Sequence, residues 1–168
     1  MSEPGGLVVA VEEGGFGEQL GLRVGDRLLT INGHPLRDVI DFQFYGADDE
    51  VTLTVQRAGG VLALAGRRSE GQGWGLDFSE PIFDRIRTCG NHCPFCFLSG
   101  LPSGLRPTLY VRDDDYRLSF LFGNFVTLTN LEDGDWRRLE EQRLSPLHVS
   151  VQATDPGLLE RDPHDLLG

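Results

Sequence analysis

The chain's only three cysteines, Cys89, Cys93 and Cys96, fall within one eight-residue stretch, CGNHCPFC, with the spacing Cys-x-x-x-Cys-x-x-Cys. Thiols this close must share one loop, so whatever they hold dictates the backbone around them. Three thiolates at one turn can ligate three irons of a [4Fe-4S] cluster and leave the fourth iron open, whereas a structural cluster normally takes four cysteines. Zinc is the main competitor, because Cys and His at short spacing also build tetrahedral sites. A zinc site wants a fourth ligand. His92 lies inside the loop, where it competes with its neighbours for direction, and His148 and His164 need tertiary structure to arrive. A disulfide would leave one thiol over, and the acidic start MSEPGGLVVAVEEGG has too short an apolar run for a secretory signal. Thiols without a ligand role are the remaining alternative.

A chain of 168 residues can bury one medium core or two small ones. Its net charge of -11 argues against general binding to a phosphate backbone, which depends on clustered Lys and Arg. No apolar run approaches bilayer length, so with free thiols the chain reads as soluble and cytoplasmic. Much of the glycine falls before residue 76, which suggests a turn-rich N-terminal module.

In that module an apolar run at residues 7–11 is followed by GGFGEQLGLRVGDRLLTINGHPL and the amphipathic RDVIDFQFYGA. The expected order is strand, short helix, Gly-Asp turn, strand, Asn-Gly turn, strand, helix. Gly25-Asp26 and Asn32-Gly33 suit tight turns, and Leu28, Leu29 and Ile31 supply a strand core between them. Val39, Phe42 and Phe44 or Tyr45 share a helical face, and residues 51–55 alternate as a strand. The pattern GL..GD.LL.ING resembles a PDZ domain over residues 7–57. PDZ domains take peptide C-termini by strand addition, with loop amides capturing the carboxylate. That loop normally precedes the first strand, but residues 61–64 followed by 73–78 could supply strand and loop in permuted order. The alternative is a docking or substrate-gating appendage, with residues 67–73 as a plain linker.

From Phe83 onward the chain reads FDRIRTCGNHCPFCFLSGLPSGLRPTLYVRDDDYRLSFLFGNFVTLTNL, then a helix, then LSPLHVSVQATDP. The cysteine spacing resembles the radical S-adenosylmethionine (SAM) superfamily. The wider match at residues 101–111, 113–130 and 144–156 resembles bacterial proteins that join a PDZ-like domain, a radical SAM core and a C-terminal domain known as DUF512. Arg112 and Gln152 depart from that pattern, where Lys and His are more usual. The resemblance implies that the open iron chelates the amino and carboxylate groups of SAM, that the cluster cleaves SAM reductively, and that Phe95 lies against the adenine. It also implies an electron donor.

Local patterning agrees with βα units. Residues 125–131 and 147–153 read as strands flanking EDGDWRRLEEQR, whose acidic first turn and basic last turn suit a helix dipole. Strand, helix, strand is the βαβ signal. Leu147, Val149 and Val151 face one way; His148, Ser150 and Gln152 face the other. A polar face on a doubly buried strand is costly unless it lines a cavity. Thr127, Thr129, Asn130, Ser150 and Gln152 are therefore candidate cofactor or substrate contacts, against the alternative of edge strands with a solvated face. Residues 113–115 either cap a helix running to Phe122, with Gly123 past its end, or open a hairpin; the helix is preferred, and a solvated charge run is the plain reading of the aspartates.

The expected architecture is α/β overall: a PDZ-like, β-rich α+β domain over residues 1–79, then an incomplete radical SAM βα barrel over 80–168. So short a barrel would expose strand edges and apolar surface, so a missing segment or an oligomer would be needed. No catalytic residue or substrate is assigned. Two function classes stand: a radical SAM-type redox enzyme, or a noncatalytic PDZ-like binding module with a zinc-binding or inert Cys loop.

Overall fold

The computed structural model describes residues 5–93, 96–151 and 154. The chain divides into two compact units that meet between Arg85 and Ile86. The architecture is α+β, with a β-rich first unit and a smaller, more helical second one. This corrects the expectation of α/β overall, because strands and helices do not alternate along most of the chain.

The first unit contains β1 (Gly6–Val11), α1 (Phe16–Gln19), β2 (Arg27–Ile31), β3 (His34–Pro35), α2 (Val39–Tyr45), β4 (Glu50–Arg57), β5 (Gly60–Arg67) and β6 (Leu76–Phe78). The sheet runs β5-β4-β2-β1-β6, with β3 paired on β2. Asn32-Gly33 joins β2 to β3 with φ of 50° and 80°. Two positive φ angles in a two-residue hairpin define a type I′ turn, the geometry for which Asn-Gly is favoured. In β4, Val51, Leu53 and Val55 point inward while Thr52 is exposed, so the period-two pattern meets the apolar face of Leu28 and Ile31 on β2. On α2, Ile40 and Phe42 are buried, Val39 and Tyr45 half-buried, and Phe44 faces out.

Asp26 does more than form a turn. Its carboxylate accepts from the Arg23 N–H at 2.8 Å and from Arg57 Nε and Nη2 at 2.7 and 2.6 Å. Burial would raise its pKa, but the Arg57 and Arg23 bonds outweigh that and hold it below the usual carboxylate value. The start of β2 is thus clamped to the end of β4.

The second unit contains α3 (Tyr116–Phe122), β7 (Phe125–Val126), α4 (Asp133–Glu141) and β8 (His148–Val149), with single 3-10 turns at Phe97–Gly100 and Pro107–Tyr110. β7 and β8 pair in parallel, Phe125 opposite His148 and Val126 opposite Val149, and α4 lies between them in sequence. This is the expected βαβ order, with shorter strands than the pattern suggested. The backbone turns out of β7 at Leu128, whose φ is 60°. Val126 is buried, but Phe125, Val149 and Val151 are exposed, so the apolar side expected of residues 147–151 faces outward over part of its length.

Residues 116–122 form the helix rather than the hairpin, and Gly123 follows in the left-handed region at φ 77°. Its cap is Asp115, which accepts from the Arg117 N–H at 3.0 Å. The solvated charge run does not hold here, because Asp114 and Asp115 are 2% and 0% exposed. Buried carboxylates need partners. Arg117 Nε and Nη2 donate to Asp115 at 2.9 and 2.7 Å, and the Arg87 N–H donates to it at 3.0 Å. Arg87 Nη2 reaches Asp135 at 2.6 Å, and Arg138 donates to the Tyr116 hydroxyl at 3.1 Å and to Gln142 at 3.0 Å. Desolvation lifts the pKa of Tyr116, while the Arg117 and Arg87 bonds overcome desolvation and lower that of Asp115.

Candidate functional site

The cysteine loop is fastened at its start by a short antiparallel contact. Thr88 bridges Asp113, the Cys89 N–H donates to the Arg112 carbonyl at 2.8 Å, and the Asp114 N–H donates to the Arg87 carbonyl at 2.9 Å. At its far end, the Cys96 N–H returns to the Cys93 carbonyl at 3.1 Å, and the Ser99 N–H reaches the Cys96 carbonyl at 3.0 Å as the 3-10 turn begins. All three thiols are free and partly exposed.

The middle of the loop is held by Asn91. Its Nδ2 donates to Thr129 Oγ1 at 2.9 Å and to Thr127 Oγ1 at 3.2 Å, while Thr129 Oγ1 returns a bond to Asn91 Oδ1 at 3.2 Å. Thr127 is itself fixed by Asp114, whose carboxylate accepts from the Thr127 N–H at 2.6 Å and its hydroxyl at 2.7 Å. A buried acid therefore aims one threonine, and that threonine with its neighbour aims the loop between the first two cysteines.

Cys89, Cys93 and Cys96 line one cavity of about 380 Å³, whose other walls include Asn91, Arg112, Asp113, Asn124, Thr127 and Ser150. Among the described residues no three His, Cys, Asp or Glu side chains gather around one point as a single metal ion requires. A zinc ion draws four ligands to such a point, whereas a four-iron cluster distributes three thiolates over three irons. The Ser99 N–H and hydroxyl, followed by the Leu98 N–H and the Arg112 charge, hold the Cys96 thiol below its ordinary pKa against desolvation. That favours the thiolate, the form that ligates metal.

The remaining expected contacts divide. Thr127 and Ser150 reach the cavity wall. Thr129 faces Asn91 and Thr127, and Asn130 turns back to donate to the Asp114 and Thr88 carbonyls at 3.0 and 3.4 Å, leaving its buried Oδ1 with no partner among the described residues. Phe95 and Gln152 lie outside the described residues. Sequence reasoning overlooked Asn91 and Asn124; Asn124 Nδ2 donates to Asp113 at 2.7 Å. The position of Asn91 between two cysteines was the one available signal.

In the first unit, β6 is the sheet edge and follows a loop at residues 73–75. The carbonyls of Gly73, Trp74 and Gly75 accept from the N–H groups of Phe16, Gly17 and Glu12 at 3.1, 2.9 and 2.8 Å. Trp74 packs on Phe16 and Phe42 at centroid distances of 5.1 and 4.9 Å, and its Nε1 donates to the Gly46 carbonyl at 3.0 Å.

Residues 68–162 match the family described as Radical SAM-like domain, and residues 7–57 match the PDZ domain. The first match covers more than half of the chain, which belongs to the Radical SAM-like domain family. Among curated proteins nothing matches. No helix among the described residues is long and apolar enough to cross a membrane.

Proposed function

We propose that the chain is an iron–sulfur protein of radical SAM type, with Cys89, Cys93 and Cys96 holding one [4Fe-4S] cluster whose fourth iron is open to SAM. The observation that carries this reading is the placing of all three thiols on one cavity, whose wall also holds the Arg112 guanidinium, the Asp113 and Asp114 carboxylates and neutral polar groups. When bound, the cluster supplies one electron at low potential to SAM. The chain's own residues fix the loop: Asp114 aims Thr127, Thr127 and Thr129 hold Asn91, and the Arg112 carbonyl pins Cys89. Ser150 lines the cavity and would offer its hydroxyl to a polar ligand, whereas the Thr127 hydroxyl is committed to Asp114, Asn91 and Thr129, and Phe95 would shield the ligand's adenine. Chemistry of this kind needs an enclosed site that excludes water. On the barrel reading, further βα units of a DUF512-type protein, or a second copy, would cover the exposed Phe125, Val149 and Val151. Free thiols and a low-potential electron donor would suit a cytoplasmic location.

The PDZ-like domain, residues 1–79, would dock a peptide or protein at β6. The loop carbonyls accept from Glu12, Phe16 and Gly17, and the Trp74 and Gly75 N–H groups have no backbone acceptor among the described residues. Free amides beside a sheet edge suit strand addition with carboxylate capture.

Anaerobic reconstitution with iron and sulfide, read by absorbance and iron count, tests the cluster. The expected result is one cluster per chain, lost in Cys→Ala variants; tight stoichiometric zinc in anaerobically prepared protein would defeat it and favour the noncatalytic binding module.

A further inference from the structure

We infer that Arg112 is a positioning residue that sets the cluster's reduction potential; this rests on the cluster reading above. Arg112 Nη2 lies 3.8 Å from Cys96 Sγ and 2.5 Å from Ser99 Oγ, so the guanidinium is held over the third thiol by a neighbouring hydroxyl. Its backbone is fixed as well, since its carbonyl accepts from the Cys89 N–H at 2.8 Å. One residue therefore touches both ends of the cysteine loop, with its carbonyl at the first thiol and its side chain at the third.

The charge arrangement gives the contact its meaning. Among the described residues, Arg112 is the one Lys or Arg on the wall of the cavity. Both carboxylates on that wall are engaged by neutral donors: Asp113 accepts from Asn124 at 2.7 Å, and Asp114 accepts from Thr127. Among the described residues Arg112 forms no ion pair, unlike Arg87 and Arg117, which meet Asp135 and Asp115. A half-buried guanidinium with no carboxylate partner is matched by anionic sulfur. When the cluster accepts one electron from a low-potential donor, no bond forms or breaks and negative charge on its sulfurs grows. A hydrogen bond to thiolate sulfur and a fixed positive charge both favour that reduced state and raise the potential. Asp113 and Asp114 act in the opposite sense, so Arg112 offsets their field.

The test is an anaerobic redox titration of the full-length, iron-loaded protein, followed by electron paramagnetic resonance with an iron count on every sample. Arg112→Gln removes the charge, Arg112→Lys keeps it without the fork, and Arg106→Gln makes the same charge change at an exposed position off the cavity wall. The expected result is a wild-type iron count throughout. In Arg112→Gln the reduced-to-oxidised ratio at fixed potential falls about tenfold, or ~59 mV for one electron. Arg112→Lys falls between, and Arg106→Gln stays at wild type. An iron-loaded Arg112→Gln with the wild-type midpoint overturns the inference and leaves the cluster reading intact, as does an equal shift in Arg106→Gln. Loss of iron in both Arg112 variants shows a merely structural role and overturns it too. Wild-type protein that takes up no iron defeats the cluster reading and this inference with it.

Discussion

The two units differ in what dominates their interiors, although the first also buries Asp26, Asp38 and Asp41. The first encloses one apolar cluster of Val8, Phe16, Leu22, Leu28, Ile31, Leu36, Phe42, Val51, Leu53, Val55 and Phe83. The second buries a charged network, with Asp114, Asp115, Arg117, Asp135 and Arg138 all below 5% exposure beside Tyr116 and Val126. Apolar burial is non-directional and contributes in proportion to area. Buried charge is directional: it fixes geometry, and it is strongly destabilising when one partner is removed. On the proposed cluster reading the second strategy has a use, since the atoms that hold Asn91 and the cysteines would have to sit at fixed positions. On the proposed docking reading, the first unit would have only to present an edge.

The sharpest way to break this comparison is to remove a thiol. Cys93→Ala should abolish cluster assembly in the second unit and leave unfolding of the first unchanged. The chain's two tryptophans fall one in each unit, Trp74 and Trp136, so single-tryptophan variants followed by fluorescence separate the transitions. A Trp74 transition that shifts with iron content would erase the proposed independence.

Cutting the charged network should come next in size. Asp115→Asn leaves Arg117 with a neutral partner at a site 0% exposed, at a cost of about 3–5 kcal/mol read from the Trp136 signal in urea. Asp115 has its folded pKa lowered below the unfolded value. Its contribution is therefore complete above about pH 4 and is lost as pH falls through the folded value. The Asn variant should flatten that acid dependence; an unchanged acid limb in the Trp136 transition would assign the pH sensitivity elsewhere.

Leu53→Ala probes the apolar strategy. The residue is 0% exposed at the centre of β4, and its truncation should cost about 2–5 kcal/mol, seen by Trp74 and with no change in iron count. A smaller effect is expected from Asn91→Ala, which removes the loop's bonds to Thr127 and Thr129. About 0.5–1.5 kcal/mol should leave the second unit, with faster loss of iron to a chelator. Iron retention equal to wild type would reduce that network to ordinary surface bonding.

Much of the first unit was legible because its instructions are local. Asn32-Gly33 specifies a turn by backbone sterics, Val51, Leu53 and Val55 specify a face by alternation, and Gly123 marks a helix end by its positive φ in the second unit as well. The cysteine spacing pointed to a candidate site for the same reason, since eight residues of chain carry it whatever the fold. What the sequence left open depended on partners distant along the chain. Asp114 and Asp115 looked like a solvated run until Thr127, Arg87 and Arg117 arrived to pair them. Asp26 looked like a turn residue until Arg57, thirty-one positions away, closed on it. Arg112 was a departure from a pattern, and only the antiparallel contact of Thr88 with Asp113 carried its guanidinium to Cys96. Turns and alternation are written in adjacent residues, whereas a buried charge is satisfied only by whichever side chain the fold brings within hydrogen-bond reach.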